Sequence, residues 1–326
     1  MINLFLLTRE KKLITDFKEI NLREILKNND HLLWLDLIDP TDEEIGILSE
    51  DFKFHELAIE DCLFPQSQPK VDDFGDHIFI VIQGVKKYRE NGEEELKTED
   101  LNIFFGKNFV VTVQEEPFKS IANLASRCKQ NPMFLDKGSD FLLHAIIDGV
   151  VDSYLPFLEE IDDKIEQVED EVLVKPGKQA IMNEIFSLKK QILAIRKIIG
   201  PQRAVIGLLS RRDIPFIKPN TLIYYRDIYD HLVRIGDTID MYRDLTTNIL
   251  EIYFSWTSSR LTEVMKVLTL IATIMMPLTL ITSYYGMNIK LPEFTWGCIR
   301  SMPFVWALLI GTTLGLLMFF RHRKWI

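Results

Sequence analysis

The carboxy-terminal part of the chain contains two uncharged runs that are each long enough to cross a membrane. The first lies between Lys266 and Lys290, and the second extends from Pro303 to Phe320. A helix rises about 1.5 Å per residue, so about 20 residues cover a hydrocarbon core roughly 30 Å thick. A buried soluble helix could mimic one such run, but hardly two at the extreme carboxy terminus. The sequence therefore predicts transmembrane helices at about 266–284 and at 303–320.

Charge is divided unevenly between this segment and the rest of the chain. Residues 261–326 hold two acidic and six basic residues, a net charge of +4, and since the whole chain carries −10, residues 1–260 carry −14. An acidic surface argues against a nucleic-acid partner, which requires basic groups to displace counterions, and favours cations as ligands. Ordinary solubilising surface is the alternative interpretation for most of these acids.

Basic residues also predict the orientation in the membrane. Arg260 and Lys266 flank the first span, and the basic tail 321–326 follows the second. Cytoplasmic segments next to membrane spans are enriched in arginine and lysine. We therefore expect a multi-pass protein of the cell (inner) membrane, with both termini cytoplasmic and the loop 285–302 outside.

One side of the first span is more polar than the other. Residues at steps of three and four share a helical face that mixes small, hydroxyl-bearing and flexible side chains; they are Thr262, Met265, Leu268, Ala272, Met276, Thr279 and Ser283. Such a face suits a pore lining, but small residues also mark helix contacts in membranes, and periodicity leaves both interpretations open. Two helices per chain cannot enclose a water-filled path, so conduction would require a homo-oligomer.

The chain before the first span divides into three predicted regions. Residues 1–140 alternate strand-like runs, such as HLLWLDL and HIFIVIQGV, with helical ones, which predicts a cytoplasmic α/β domain. Residues 141–219 contain amphipathic helices separated by KPGK, which predicts a hairpin joined by charge. Residues 220–284 follow an approximate seven-residue apolar repeat and contain no proline except Pro277. This pattern predicts one stalk helix that continues into the membrane.

No sequence motif supports an enzyme. The three cysteines are isolated, the six histidines are scattered, and phosphate-loop and nucleophile-elbow patterns are absent. We therefore expect neither a catalytic centre nor an organic cofactor.

The end of the first span carries a family resemblance. The run EVMKVLTLIATIMMPLTLI leads into YGMN, and a loop, a second span and the basic end RHRKWI follow. This arrangement resembles the CorA family of magnesium and cobalt transport proteins, and weaker similarity extends back through YYRDIYDHLVRIGDTIDMYRD and AIEDCLFPQSQPKVDDF. The resemblance implies a funnel-shaped homopentameric channel that takes up Mg2+, with Co2+ as a second cargo, down the electrochemical gradient.

Site residues follow from the resemblance by position. It implies an outer selectivity filter of Gly286, Met287 and Asn288. It implies an apolar constriction that consists of Met265, Leu268 and Met276. Regulatory Mg2+ between neighbouring subunits would bind the acids that match the family pattern, namely Asp61, Glu60, Asp227 and Asp148. At the cytoplasmic end of the pore, Thr262 stands where the family often has asparagine, so the polarity of the inner gate is left open.

A mouth built from neutral oxygens suits a hydrated divalent cation. Mg2+ releases its waters reluctantly and prefers octahedral oxygen coordination, so the Asn288 amide and the Gly286 carbonyl would hydrogen-bond its hydration shell. The expected partners are divalent cations, membrane lipid and other copies of the chain. Alternative hypotheses are another cargo, such as Ni2+ or Zn2+, and a membrane-anchored cation sensor.

Overall fold

The computed structural model describes residues 1–16, 21–28, 30–64, 68–90, 93–174, 177–211, 214–287 and 298–325. These residues form two compact units. The first consists of residues 1–174 and 178–250, and the second of residues 175–177 and 251–326.

The first unit contains one mixed β-sheet. Its strands are β1 (Ile2–Leu7), β2 (Leu13–Ile14), β3 (Leu32–Ile38), β4 (Lys70–Asp73), β5 (His77–Glu90), β6 (Glu93–Gly106) and β7 (Phe109–Gln114). They lie in the order β2-β1-β3-β7-β6-β5-β4, and the pair β3–β7 is parallel while the other pairs are antiparallel. The sequence runs EELKT and LNIFF belong to a single strand, β6, because the acidic residues between them also pair with β5.

The centre of the sheet is apolar on both faces. Leu33, Trp34 and Leu35 of β3 are fully buried, as expected for a continuous apolar run in a covered strand. Asp36 is the exception, and its Oδ1 accepts hydrogen bonds from Thr112 Oγ1 at 2.8 Å and from Gln114 Nε2 at 2.7 Å. Burial raises the pKa of the Asp36 carboxyl, and these hydrogen bonds oppose the shift.

Short helices cover the sheet. They are α1 (Leu22–Lys27), α2 (Asp42–Glu50), α3 (Glu56–Leu63) and α4 (Lys119–Gln130), followed by a 3-10 turn at Pro132–Lys137. Helix α2 begins with a capping box, in which the Thr41 hydroxyl accepts from the Glu44 amide and the Glu44 carboxylate accepts from the Thr41 amide. The sequence explains this cap, since threonine followed by glutamate three residues later satisfies two amide donors at a helix start.

Three further helices complete the helical region: α5 (Ser139–Asp152), α6 (Leu155–Val174) and α7 (Gln179–Leu209). Helices α6 and α7 each present a row of buried aliphatic residues, including Ile165 and Ile185, so apolar packing contributes to the hairpin. Arg196 of α7 forms an ion pair with Asp240 of the next helix at 3.0 Å. Helix α7 continues through Pro201, because buried residues persist on the same face beyond it.

The longest element is α8 (Leu222–Tyr285), a continuous helix of 64 residues. At about 1.5 Å per residue it is about 96 Å long, which confirms the predicted long helix. Within the first unit its buried positions include Ile228, Leu232, Ile235 and Ile239, as the seven-residue repeat predicts. Helix α9 (Cys298–His322) follows.

Among the described residues, three helical stretches are long and apolar enough to cross a membrane: Ser139–Val174, Leu222–Tyr285 and Met302–His322. Each stretch contains an apolar segment of 18 residues. The buried share of that segment is 50% in the first stretch, 0% in the second and 6% in the third. Helices α5 and α6 thus contribute to the core of the first unit, whereas the other two stretches contain the predicted spans.

Candidate functional site

The first span has two different sides in the single chain. The seven residues of the candidate pore face are all exposed. Partly covered residues lie on the other side, and they include Leu270, Ile274, Pro277, Leu278 and Ile281. At about 100° per residue, the centres of the two groups are roughly 180° apart around the helix. The chain itself covers part of the bulky aliphatic residues Leu270, Ile274 and Leu278, and the mixed face is the uncovered one.

Hydroxyl groups on the span are oriented by the helix backbone. Thr262 Oγ1 donates to the Ser258 carbonyl at 2.9 Å, and Thr279 Oγ1 donates to the Met275 carbonyl at 2.8 Å. A threonine whose proton is used in this way still has free oxygen lone pairs. The exposed face therefore presents hydrogen-bond acceptors, which are suited to cations and to the waters around them.

The span ends with a tight turn at the start of the Gly-Met-Asn tripeptide. The Gly286 amide donates to the Thr282 carbonyl at 2.9 Å, and the Met287 amide donates to the Tyr284 carbonyl at 3.4 Å. A Cβ at Gly286 would lie 3.0 Å from the Thr282 carbonyl oxygen, so the position favours glycine. Asn288, the third residue of the predicted filter, lies outside the described residues.

A proline interrupts the hydrogen bonding of the same helix. Pro277 lies inside α8 and has no amide proton to donate to the Thr273 carbonyl four residues earlier. The span thus has one backbone acceptor without its usual helical partner.

A second group of candidate ligands lies in the first unit, between α5 and α8. Oxygen and nitrogen atoms of Asp148, Asp152 and His231 are all within 4.8 Å of one another. Asp227 is adjacent, with its Oδ2 3.8 Å from His231 Nε2. Two helices therefore bring three carboxylates and one imidazole together, close enough to share a divalent cation directly or through its waters.

The carboxylates of this cluster repel one another. Burial raises the pKa of the Asp148 carboxyl, and Asp227 raises it further while His231 lowers it. Burial also raises the pKa of Asp152, with Asp148 as the next cause. A bound cation would relieve this repulsion, because a positive charge favours the ionised form of each neighbouring acid.

The remaining predicted regulatory acids are on α3. Asp61 accepts from Lys70 Nζ at 2.6 Å, and Lys70 also contacts Asp72 at 3.0 Å. Hydrogen bonds and charge from these two acids raise the pKa of Lys70 against the opposing effect of desolvation. Glu60 is exposed. In the single chain Asp61 therefore already has a cationic partner, which a metal ion would have to displace or join.

Sequence reasoning found Asp148 and Asp227 but missed Asp152 and His231. Each missed residue stands four positions after a predicted one, in DGVVD on α5 and in DIYDH on α8. Residues four apart lie side by side on a helix, so two such pairs on facing helices were the available signal. Which helices face each other was not visible in the sequence.

Fold and site together define an integral membrane protein with exposed apolar helices in one unit and, in the other, a cluster of acidic residues and a histidine whose ligand atoms could hold a metal ion. The sequence matches the CorA-like Mg2+ transporter protein family over residues 29–323. It is 35% identical to the cobalt/magnesium transport protein CorA of Thermotoga maritima, over 95% of this chain and 89% of that protein. It is 27% identical to CorA of Methanocaldococcus jannaschii, over 94% and 96% of the two chains.

A solved structure has the same fold. The complete structure of the CorA magnesium transporter from Methanocaldococcus jannaschii superposes with a TM-score of 0.85 at 24% identity, covering 100% of this chain and 99% of that one. The chain belongs to the CorA-like Mg2+ transporter family. Its members are transport proteins, which confirms the predicted family and the prediction that the chain is not an enzyme.

Proposed function

We propose that the protein is a homopentameric channel of the cell membrane that admits Mg2+, and Co2+ as a second cargo, and closes when cytoplasmic Mg2+ binds between subunits. The observation that carries the proposal is the continuity of α8. One helix holds Asp227 and His231 near its start and the exposed mixed face towards its end. A rigid element of this kind can transmit a change in metal occupancy to a pore.

The exposed face supports assembly from several copies. One chain has two candidate spans and cannot enclose a pore, so the path must lie between copies. The face that includes Met265, Ala272 and Thr279 is uncovered in the single chain, opposite the partly covered one. Placing it at a central axis would leave α9 peripheral, and five copies is the number that the family resemblance implies.

The filter would act on the hydrated ion. In this proposal Gly286, Met287 and Asn288 of each copy form the outer ring, where neutral oxygens hydrogen-bond the waters of Mg2+ without removing them. Carboxylates at this point would hold the ion more tightly and slow its release. With both termini cytoplasmic, an inside-negative potential favours entry of a divalent ion by about 4.6 kcal/mol per 100 mV.

The gate and its regulation would use different parts of α8. Met265, Leu268 and Met276 form an apolar constriction that closes by excluding water. We propose that Asp227 and Asp148 bind cytoplasmic Mg2+, together with Asp61 and Glu60 of a neighbouring copy, and we add the two residues that complete the cluster, Asp152 and His231. Bound metal would stabilise the closed arrangement and so shift a two-state equilibrium.

Ion flux tests the proposed channel. The full chain is reconstituted into liposomes loaded with a Mg2+-sensitive dye, under an inside-negative potential, and compared with Asn288→Ala. We expect Mg2+ entry in the original protein and loss of entry in Asn288→Ala. Asn248→Ala is the matched control, since it makes the same change at an exposed position of α8 in the first unit and should conduct normally.

The same assay separates the alternative hypotheses. Co2+, Ni2+ and Zn2+ are tested beside Mg2+, and faster entry of Ni2+ or Zn2+ would reassign the cargo. Absence of flux for all four ions, in protein shown to be oligomeric, would contradict a channel and favour the membrane-anchored cation sensor.

A further inference from the structure

The second span ends in a cap that folds the basic tail back onto its helix. Lys324 has a φ of 56°, in the left-handed region. The Trp325 amide donates to the Phe320 carbonyl at 2.9 Å, and the Lys324 amide donates to the Arg321 carbonyl at 3.1 Å. These two bonds form the Schellman pattern of helix termination. Residues 323–325 therefore have a defined position at the end of α9.

An aromatic contact completes this cap. The ring of Trp325 stacks on Phe320 with centroids 5.7 Å apart and an interplanar angle of 28°. Phe320 is only 5% exposed, whereas Trp325 remains 42% exposed. Tryptophan is enriched at membrane–water interfaces, because its ring is apolar while its N–H can meet polar groups. The cap thus holds an exposed indole beside the charged end of an apolar helix.

The residue at the left-handed position is unusual. Glycine commonly occupies it, because a side chain there meets steric resistance. This chain has a lysine instead, between Arg323 and Trp325. The backbone conformation favours glycine over lysine at this position. A role for residue 324 must therefore come from the charge of the lysine side chain.

Three cations project from the cap: Arg321, Arg323 and Lys324 are all exposed. Arg323 lies over the Phe319 ring at 5.9 Å. Among the described residues none of the three has a carboxylate partner, and the sequence contains no acidic residue after Glu293. A cluster of basic groups next to a membrane helix attracts anionic lipid.

We propose that this cap binds the phosphate headgroup of an anionic phospholipid, with the indole of Trp325 at the level of the membrane interface. Guanidinium groups donate paired hydrogen bonds to phosphate oxygens, and the lysine adds a third positive charge. The apolar surface of α9 would contact the acyl chains of the same lipid. That this lipid lies in the cytoplasmic leaflet rests on the orientation given under the proposed function; the binding itself does not.

Lipid binding to the full chain tests this proposal. The detergent-solubilised protein is titrated with phosphatidylglycerol or with phosphatidylcholine of the same acyl chains, and bound lipid is counted by native mass spectrometry. One basic residue near a membrane surface changes affinity by roughly fivefold. We expect the variant Arg321→Gln, Arg323→Gln, Lys324→Gln to bind phosphatidylglycerol at least tenfold more weakly, with phosphatidylcholine binding unchanged.

A charge-matched variant provides the control. Lys189→Gln, Lys197→Gln, Arg203→Gln removes three exposed cations from α7 and should bind phosphatidylglycerol as the original protein does. Equal binding of the two lipids to the original protein, or equal losses in the two triple variants, would overturn the proposal. Inorganic phosphate is added as a competitor, and displacement of the lipid at equal concentration would indicate a free-anion site instead.

Single substitutions separate charge from cap geometry. Lys324→Gly removes the charge and relieves the backbone, so the cap should persist while phosphatidylglycerol affinity falls roughly fivefold. Lys324→Arg keeps the charge and should keep the affinity. Unchanged affinity in Lys324→Gly would contradict a role for this charge. Since neither experiment measures ion flux, an inactive channel would leave this result standing, and loss of lipid selectivity would leave the proposed transport intact.

Discussion

The two units of this protein use the same residue types in opposite ways. In the first, Leu35 of β3 is fully buried between Trp34 and Asp36, in a sheet that the chain covers by itself. In the second, Leu268 of α8 is 60% exposed, and Met276 is 74% exposed. Apolar area left uncovered by a chain must be removed from water by lipid or by another copy. The difference shows that the first unit supplies its own core, whereas the second depends on its surroundings.

The largest expected effect is the difference in stability between alanine substitutions at Leu35 and at Leu268. Leu35→Ala should lower the stability of the sheet by about 2–5 kcal/mol, because it leaves a cavity in a packed core. Leu268→Ala removes the same atoms from an exposed position and should change the sheet by less than about 0.5 kcal/mol. Hydrogen exchange of the β3 and β7 amides measures the stability of the sheet in both variants. Similar losses of protection in the two variants would contradict the difference between a self-covered core and an exposed helix.

The sequence predicted secondary structure well where a residue pattern lies within one helix or strand. The strand around Trp34 and the long helix α8 follow from local spacing, and the structure has both of them. Contacts between elements were harder to predict from the sequence: the buried aliphatic rows of α6 and α7 and the full length of strand β6 are apparent only in the structure. Local periodicity identifies which face is apolar, but not what covers it.

The candidate metal cluster shows the same limit. Asp148 and Asp227 were identified by resemblance, but Asp152 and His231 became visible only when α5 and α8 lay side by side. Each stands four positions after a predicted acid, but the sequence does not show that α5 and α8 face each other. Conversely, Asn288, which the family resemblance implies as part of the filter, lies outside the described residues.

The next largest expected effect is stabilisation of the first unit by a metal ion bound at this cluster. Mg2+ or Co2+ should stabilise the first unit, by about 2.7 kcal/mol when the metal is at one hundred times its dissociation constant. Asp148→Asn with Asp152→Asn should remove most of this increment, as measured by thermal unfolding of the full chain with and without metal. Glu169→Gln with Asp170→Asn removes two exposed charges from α6 and is the control. An increment equal in the cluster variant and the control would contradict the metal site.

The pH dependence of the same cluster has a definite sign. Burial raises the pKa of Asp148 and of Asp152 above 3.8, so the folded state binds protons more tightly than the unfolded state. Without metal, the stability contributed by these groups is therefore lost as pH rises from 3.8 through the raised values. We expect Asp148→Asn to stabilise the metal-free protein at pH 7. Metal binding should weaken as pH falls, because protons compete for the same oxygens.

The smallest effect compares one residue type in both units. Thr41 accepts a hydrogen bond from the Glu44 amide at the start of α2, so Thr41→Ala should cost about 1 kcal/mol, while Thr41→Ser should retain most of the stability. Thr262 instead donates to the Ser258 carbonyl within α8, a bond that a helix does not require, and alanine has the higher helix propensity. Thr262→Ala should therefore leave the free energy of unfolding unchanged within about 0.5 kcal/mol.

If Thr262 lines the proposed pore, the same variant should alter Mg2+ flux, because its oxygen faces the ion path. A variant that loses stability but conducts normally would place Thr262 in helix packing instead.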